Sequence, residues 1–145
     1  PLAEALLFSA DRAEHVTQVL QPALQEGKTV ILDRYYYSTV AFQGYGHQTP
    51  IEPLLTLSQI ATQGLLPDVV LLLDIEPKLG LERNSDKNAS DSFEQEELSF
   101  HSRLREGFLA LADTLPEPFG IIDAVASQDE VFEQAKRFIV SLFHD

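Results

Sequence analysis

Pro67-Asp68-Val69-Val70-Leu71-Leu72-Leu73-Asp74 is the stretch that decides the fold. Its five consecutive apolar residues show no polar alternation and follow a turn-forming Pro-Asp pair. That pattern predicts a strand over Val69–Leu73 covered on both faces, as in a parallel sheet. Upstream, Thr29-Val30-Ile31-Leu32 has the same character and ends on Asp33-Arg34; downstream, Phe119 to Ile122 predicts a third strand ending on Asp123. Helical patterns separate the three. Leu2, Leu6, Phe8 and Ala10, then Val16, Val19, Leu20, Ala23 and Leu24, predict two consecutive helices or one kinked at Pro22, closed near Gly27. Tyr37 to Gln43 reads as a short helix, Gly44-Tyr45-Gly46 as a loop, and Pro50 to Gln63 as a helix closed by Gly64. Further helices are expected over Pro77–Arg83 and Glu94–Ala112. Ser127 and Glu130 form a capping box that opens a last helix through Val131, Ala135, Phe138, Ile139 and Leu142. Strands alternating with helices predict an α/β fold with a parallel sheet and flanking helices. No repeat or linker interrupts the chain, so residues 1–145 read as a single domain. The polar stretch at about 84–93 reads as a mobile lid.

The 145 residues carry 10 Lys and Arg against 23 Asp and Glu, a formal charge of −13, and 44% of them are hydrophobic. Such a chain can bury an ordinary core, and its scattered cations cannot form the basic stripe that tracks a nucleic-acid backbone. With no Cys, disulfides, thiolate metal sites and cysteine nucleophiles are excluded. The expected location is cytoplasmic, without membrane contact, because no run approaches a membrane span. The chain opens on Pro1 and enters a helical pattern at once, so it reads as cut at its beginning.

In open parallel sheets ligands bind beyond the carboxyl ends of strands, which directs attention to Asp33-Arg34, Asp74 and Asp123. A carboxylate beside a guanidinium can organise a metal-bound water and fork onto a phosphate; it can equally be a surface ion pair. Phe8 and Arg12 are four apart on one helix face, where a ring can stack on a base and the cation can donate to its carbonyl. Taken alone, that pair reads more readily as a core Phe with a solvated Arg. Phe42-Gln43 sets an apolar wall beside an amide that both donates and accepts. Arg83, Lys87, Arg103 and Arg105 can reach a polyphosphate, although a solvated charged face accounts better for at least one of the last two. The four His residues have no metal-ligand spacing, and no Gly-x-Ser-x-Gly element marks a serine nucleophile.

The ordered blocks Leu7-Phe8-Ser9-Ala10-Asp11-Arg12, Leu32-Asp33-Arg34-Tyr35, Ala41-Phe42-Gln43-Gly44, Pro67-Asp68 with Leu71-Leu72-Leu73-Asp74, and Phe100-His101 with Arg103, Arg105, Glu106, Gly107 and Phe108 resemble the bacterial thymidylate kinases from Leu6 to the end of the chain. The resemblance implies a P-loop nucleoside monophosphate kinase fold. It also implies an enzyme that transfers the ATP γ-phosphate to dTMP, giving dTDP, with ATP and Mg²⁺. By the same resemblance Phe8 stacks on thymine, Arg12 and Gln43 contact the base, and Phe42 crowds the sugar against a 2′-hydroxyl. Ser38 and Thr39 line the pocket, Arg34 holds the monophosphate, and Asp33 lies near the magnesium through water. Arg83 is the candidate at the transferring group and Lys87 at the ATP phosphates. A homodimer is implied as well.

Two departures stand out. No Gly-x-x-x-x-Gly-Lys-Ser/Thr phosphate loop occurs in the chain, which suggests that the first βαβ portion, on the order of 50 residues, is missing. The family's arginine-rich lid is thinned, with Ser92 where an arginine is expected. An arginine aimed at the transferring phosphoryl group contributes roughly 10³ to 10⁵ in rate, so the acceptor side reads as intact and the donor side as absent or thinned. The alternative is a non-catalytic dTMP-binding or dimerising remnant; a weaker one is a kinase for another monophosphate such as dUMP. Loss of the phosphate-loop strand should leave the strands at Thr29–Leu32 and Val69–Leu73 apart with a gap, or re-paired.

Overall fold

A computed structural model of the chain describes residues 1–84 and 98–143, with the side chain of Asn84 excepted. The expected lid, Lys87, Ser92 and the start of the Glu94–Ala112 helix therefore fall wholly or mainly outside the described residues. The chain divides into two compact units, Pro1–Leu66 and Pro67–Asp145.

The first unit is helical. Helix α1 (Leu2–His15) runs into a π-wound turn over Val16–Leu20 and then α2 (Gln21–Gln25). The turn sends the Gln21 N–H back to the Val16 carbonyl, five residues earlier. Pro22 follows as the second residue of α2, where it has no N–H to return to the widened turn before it. Of the two expectations, two helices or one kinked helix, the structure shows one run, interrupted by a widened turn. Gly27 closes it with a left-handed φ of 74°.

Helix α3 (Tyr36–Thr39) continues into a second π-wound turn, Val40–Gly46. Gly44-Tyr45-Gly46 is therefore helical and not the loop its two glycines suggested. The glycine serves close approach here: a Cβ on Gly44 would stand 2.5 Å from Ile51 Cδ1 at the start of α4 (Ile51–Thr62). Val16, Leu20, Val40, Ala41 and Leu54 form the buried centre.

Thr29–Leu32 is not a strand. β-Branched residues fit a pleated surface, but a strand exists only where a neighbour takes up its N–H and C=O groups, and this segment joins no sheet. Ile31 is 92% exposed.

The second unit holds β1 (Val70–Asp74), α5 (Pro77–Asn84), α6 (Leu98–Thr114), β2 (Phe119–Asp123) and α7 (Gln128–Phe143). β1 and β2 pair in parallel, Val70 opposite Phe119 through Asp74 opposite Asp123, and they make up the whole sheet among the described residues. The strand expected at Phe119 is thus the second and not the third. In a strand alternate side chains share a face, so Leu71, Leu73, Gly120 and Ile122 lie on one side. Phe138 of α7 packs directly on Gly120, and Ile122 is buried. Leu71 and Leu73 are exposed, so the two-sided covering expected of β1 is realised only in part. The capping box forms as expected: Ser127 N–H donates to Glu130 at 3.0 Å, and Glu130 N–H to Ser127 Oγ at 3.4 Å.

Gly120→Ala tests the seat of α7 on the sheet. Its Cβ would occupy the position of the Phe138 ring, and overpacking of this kind costs about 1–3 kcal/mol. Thermal unfolding should show a lowered Tm, and Gly120→Ala combined with Phe138→Leu should recover part of the loss.

Candidate functional site

In the first unit, Glu4, Phe8 and Arg12 form one row on α1, each a turn from the next. Two residues of the α3 segment reach that row. Arg12 Nη2 donates to Thr39 Oγ1 at 3.1 Å, and Gln43 Nε2 donates to Glu4 Oε2 at 3.3 Å. Phe8 lies between these two bonds along the row and is 46% exposed. The Arg12 guanidinium also stands 5.8 Å from the ring centre of Tyr35, a cation–π contact. Tyr35 is fixed in turn by its hydroxyl, which donates to the Leu65 carbonyl at 3.1 Å.

Burial shapes the chemistry here. Desolvation lowers the Arg12 pKa, opposed by the nearby Tyr35 and Asp11, while burial raises that of Tyr35 against the opposite pull of Arg12. Three buried polar atoms have no hydrogen-bond partner: Ser9 Oγ, Arg12 Nη1 and Gln43 Oε1. Leaving such a group unpaired costs about 1–3 kcal/mol, and more for a charged one. The wall thus presents an unmatched cationic donor and an unmatched acceptor beside a half-exposed aromatic ring.

Arg34 continues the site. Its φ of 71° places a non-glycine residue in the left-handed region, at a cost of about 1–2 kcal/mol. Its guanidinium stands 5.6 Å from the ring centre of Phe42, next to Gln43. Asp33 and Arg34 are exposed; Ser38 is half-buried, and its N–H donates to the Tyr35 carbonyl at 3.2 Å. Phe8, Arg12, Arg34, Ser38, Thr39, Phe42 and Gln43 all lie in the first unit, where Arg12 meets Thr39, Arg34 meets Phe42, and Gln43 meets Glu4. Sequence reading missed Glu4, Ser9 and Tyr35. The four-residue spacing of Glu4, Phe8 and Arg12 was the available signal for Glu4.

The second unit has its own cavity of about 490 Å³ beyond the carboxyl end of β1, walled by Leu72, Leu104 and Phe108. At its rim Arg105 donates from Nε and Nη2 to the two Asp74 oxygens at 2.7 and 2.8 Å. This fork, which spacing could not reveal, holds the Asp74 carboxyl below its ordinary range and raises Arg105. Arg83 donates to the carbonyls of Ala124 at 2.7 Å and Val125 at 3.0 Å, so its guanidinium braces the turn after β2.

The residues can be tested against the expected cofactors. Mg²⁺ is commonly held through one or two carboxylates, waters and substrate phosphates, and the exposed Asp33 beside Arg34 fits that role. For the ATP phosphates the residues present do not fit. Gly27-Lys28-Thr29 has the last three letters of a phosphate loop, but Pro22 stands where its first glycine belongs. The stretch follows α2 instead of joining a strand to a helix, and Lys28 is paired with Glu26.

A parallel sheet with flanking helices, and a helical wall carrying an aromatic plate and two arginines, define the class of α/β nucleotide-handling proteins. The family model for thymidylate kinase matches residues 1–135. The thymidylate kinase of Oleidesulfovibrio alaskensis is 47% identical over 147 residues, covering 97% of this chain and 69% of that protein. The one from Nitratidesulfovibrio vulgaris is 44% identical, covering 98% and 69%. That of Deinococcus radiodurans is 44% identical over 131 residues, covering 90% and 64%. The chain belongs to the thymidylate kinase family, and by family it is a nucleoside monophosphate kinase. No helix among the described residues is long and apolar enough to cross a membrane.

The Asp74–Arg105 fork predicts a sign for acid stability. A carboxyl with a lowered folded pKa contributes stability that is present above its unfolded value, near 4, and is lost as pH falls through the folded value. The pair is partly exposed, so its contribution is about 1 kcal/mol or less. Arg105→Ala should lower the Tm at pH 7, and the difference from the parent should shrink as pH falls through the lowered Asp74 value.

Proposed function

We propose that the helical unit is the acceptor-nucleotide site of a dTMP kinase, which transfers the ATP γ-phosphate to the 5′-phosphate of dTMP and yields dTDP. The observation that carries this reading is the half-buried Arg12, whose buried Nη1 has no partner, one turn from the half-exposed ring of Phe8. A planar base with a carbonyl edge relieves both: the ring stacks on it, and the unmatched N–H donates to it.

The other roles follow along the same wall. Gln43 offers an amide oxygen to the base edge, Ser38 and Thr39 line the pocket, and Phe42 leaves no room for a 2′-hydroxyl. Arg34 grips the monophosphate with its fork, and its contact with the Phe42 ring joins the sugar end to the phosphate end. Asp33 orients water around Mg²⁺, whose charge when bound would offset that gathering on the phosphoryl oxygens. Arg83 and Lys87 are the candidates for the donor side, and Arg83 must release two carbonyls to act there. The reading carries a homodimer and a cytoplasmic location with it.

A second reading, a dTMP-binding protein that does not itself transfer phosphate, is favoured by one observation. Within these 145 residues no complete phosphate-loop motif occurs, so Arg83 and Lys87 are the candidates left for the ATP phosphates. Calorimetric titration with dTMP and an assay of ADP formation from ATP and dTMP separate the readings. Saturable dTMP binding with turnover supports the kinase, binding without turnover supports the second reading, and no binding overturns both.

Two substitutions sharpen the test. Arg12→Ala should weaken dTMP binding about 10- to 100-fold, the worth of a charge-assisted hydrogen bond. Arg34→Gly removes the phosphate grip and also the left-handed strain. It should abolish measurable dTMP binding while leaving unfolding stability within about 1 kcal/mol of the parent.

A further inference from the structure

We propose that Glu4 is a positioning residue that sets base specificity, by turning the Gln43 amide so that its oxygen and not its nitrogen is offered to the base. The inference rests on the nucleotide reading above and deepens it. Glu4 does not touch the substrate; it acts through Gln43.

A primary amide has a donor end and an acceptor end of nearly the same shape, so its orientation is decided by its partners. Gln43 is 1% exposed, which removes bulk water as a partner for either end. Glu4 supplies a carboxylate, which only accepts, and the amide nitrogen donates to it at 3.3 Å. The reversed amide would set its oxygen against a carboxylate oxygen and leave a buried N–H unpaired. The bond to Glu4 therefore fixes the amide oxygen as the free end, and that oxygen is buried without a partner.

Arg12, at the far end of the same helical row, is locked in the opposite sense. Nη2 is committed to Thr39, and Nη1 is a buried donor without a partner. The wall thus offers an acceptor and a donor, both desolvated and both immobilised. The complement of the acceptor is a ring N–H, which the imide of thymine or uracil carries, and the complement of the donor is a base carbonyl. Cytosine presents a bare ring nitrogen where the imide has its N–H. It would confront the Gln43 oxygen acceptor to acceptor, in a site where water cannot mediate. Discrimination built on a buried unpaired group of this kind is large, reaching 10⁴ to 10⁵ in the strongest cases.

The test titrates dTMP and dCMP calorimetrically into the full 145-residue chain, as parent, as Glu4→Gln, and as Glu4→Gln combined with Gln43→Glu. The parent should bind dTMP at least about 100-fold tighter than dCMP. Glu4→Gln keeps the size of the side chain but lets the amide at position 43 turn, and the dTMP/dCMP ratio should fall about tenfold or more. The double exchange returns a carboxylate oxygen to the base edge, bonded now to an amide at position 4, and should restore the ratio. A purely structural role for Glu4 would weaken both nucleotides together and leave the ratio in place.

An unchanged ratio in Glu4→Gln, with dTMP still preferred, overturns the role of Glu4 and leaves the nucleotide site standing. A parent that binds neither nucleotide overturns both. If circular dichroism shows the single variant unfolded, the double exchange decides: restored preference for dTMP supports the assignment, and lost preference overturns it.

Discussion

A guanidinium drawn out of water is the constraint around which the helical unit is arranged. Arg12 keeps its charge in a seat where solvation is reduced, and it has one committed hydrogen bond and one aromatic face to offset that loss. Its unmatched nitrogen carries a further penalty that packing elsewhere must outweigh. The closely packed Val16, Leu20, Val40 and Leu54 supply that weight, with about 1.5–3 kcal/mol available from each fully buried large apolar side chain. The Tyr35 hydroxyl on the Leu65 carbonyl then fixes the ring that the cation rests on. Without that core the arginine would swing into solvent, and its bond to Thr39 would be lost.

The α/β unit meets a different constraint, that of a narrow sheet. Two parallel strands cannot close a core by themselves, so α7 is seated through Phe138 on Gly120 and α6 is tied to the end of β1 by the Asp74–Arg105 fork. Arg83 closes the turn after β2 through two backbone carbonyls, which have no partner in a strand ladder at that point. Each of these devices uses a charged or bulky group to hold backbone in place. The cations at the carboxyl ends of the strands therefore perform structural work as they stand.

Residues whose signal is local were legible in the sequence. The capping box at Ser127 and Glu130 and the helix over Ile51–Thr62 depend on neighbours within a few positions, and they formed as read; the strands at Val70 and Phe119 formed because each has the other to pair with. Thr29–Leu32 failed because strand identity belongs to a pair of segments and not to one, and β-branching describes only a willingness to pair. Gly44 failed for a similar reason: its role is to let Ile51 of the next helix approach, and no local turn signal carries that contact. The candidate site divides the same way. Phe8 with Arg12 was visible as a helical spacing, whereas the Glu4–Gln43 bond, the Tyr35 platform and the Asp74–Arg105 fork span 39, 23 and 31 positions and leave no local trace.

On the proposed nucleotide reading the wall has a base end and a phosphate end, and the two are built to different stiffness. The base end is carried by α1 and the α3 segment, whose side chains are locked by hydrogen bonds and burial. Sites mounted on helices hold their geometry better than sites on loops. The phosphate end depends on Arg34, exposed, in a left-handed backbone conformation, and held by a cation–π contact worth about 0.5–1 kcal/mol at an exposed position. Selection of a base tolerates no slack, because a misplaced acceptor by a few tenths of an ångström admits the wrong edge. Transfer to a phosphate requires an arginine that can follow the oxygens as charge redistributes among them. A rigid base end and a strained, lightly held phosphate end would meet both demands within one unit, and on that proposal the strain at Arg34 belongs to the site's working geometry.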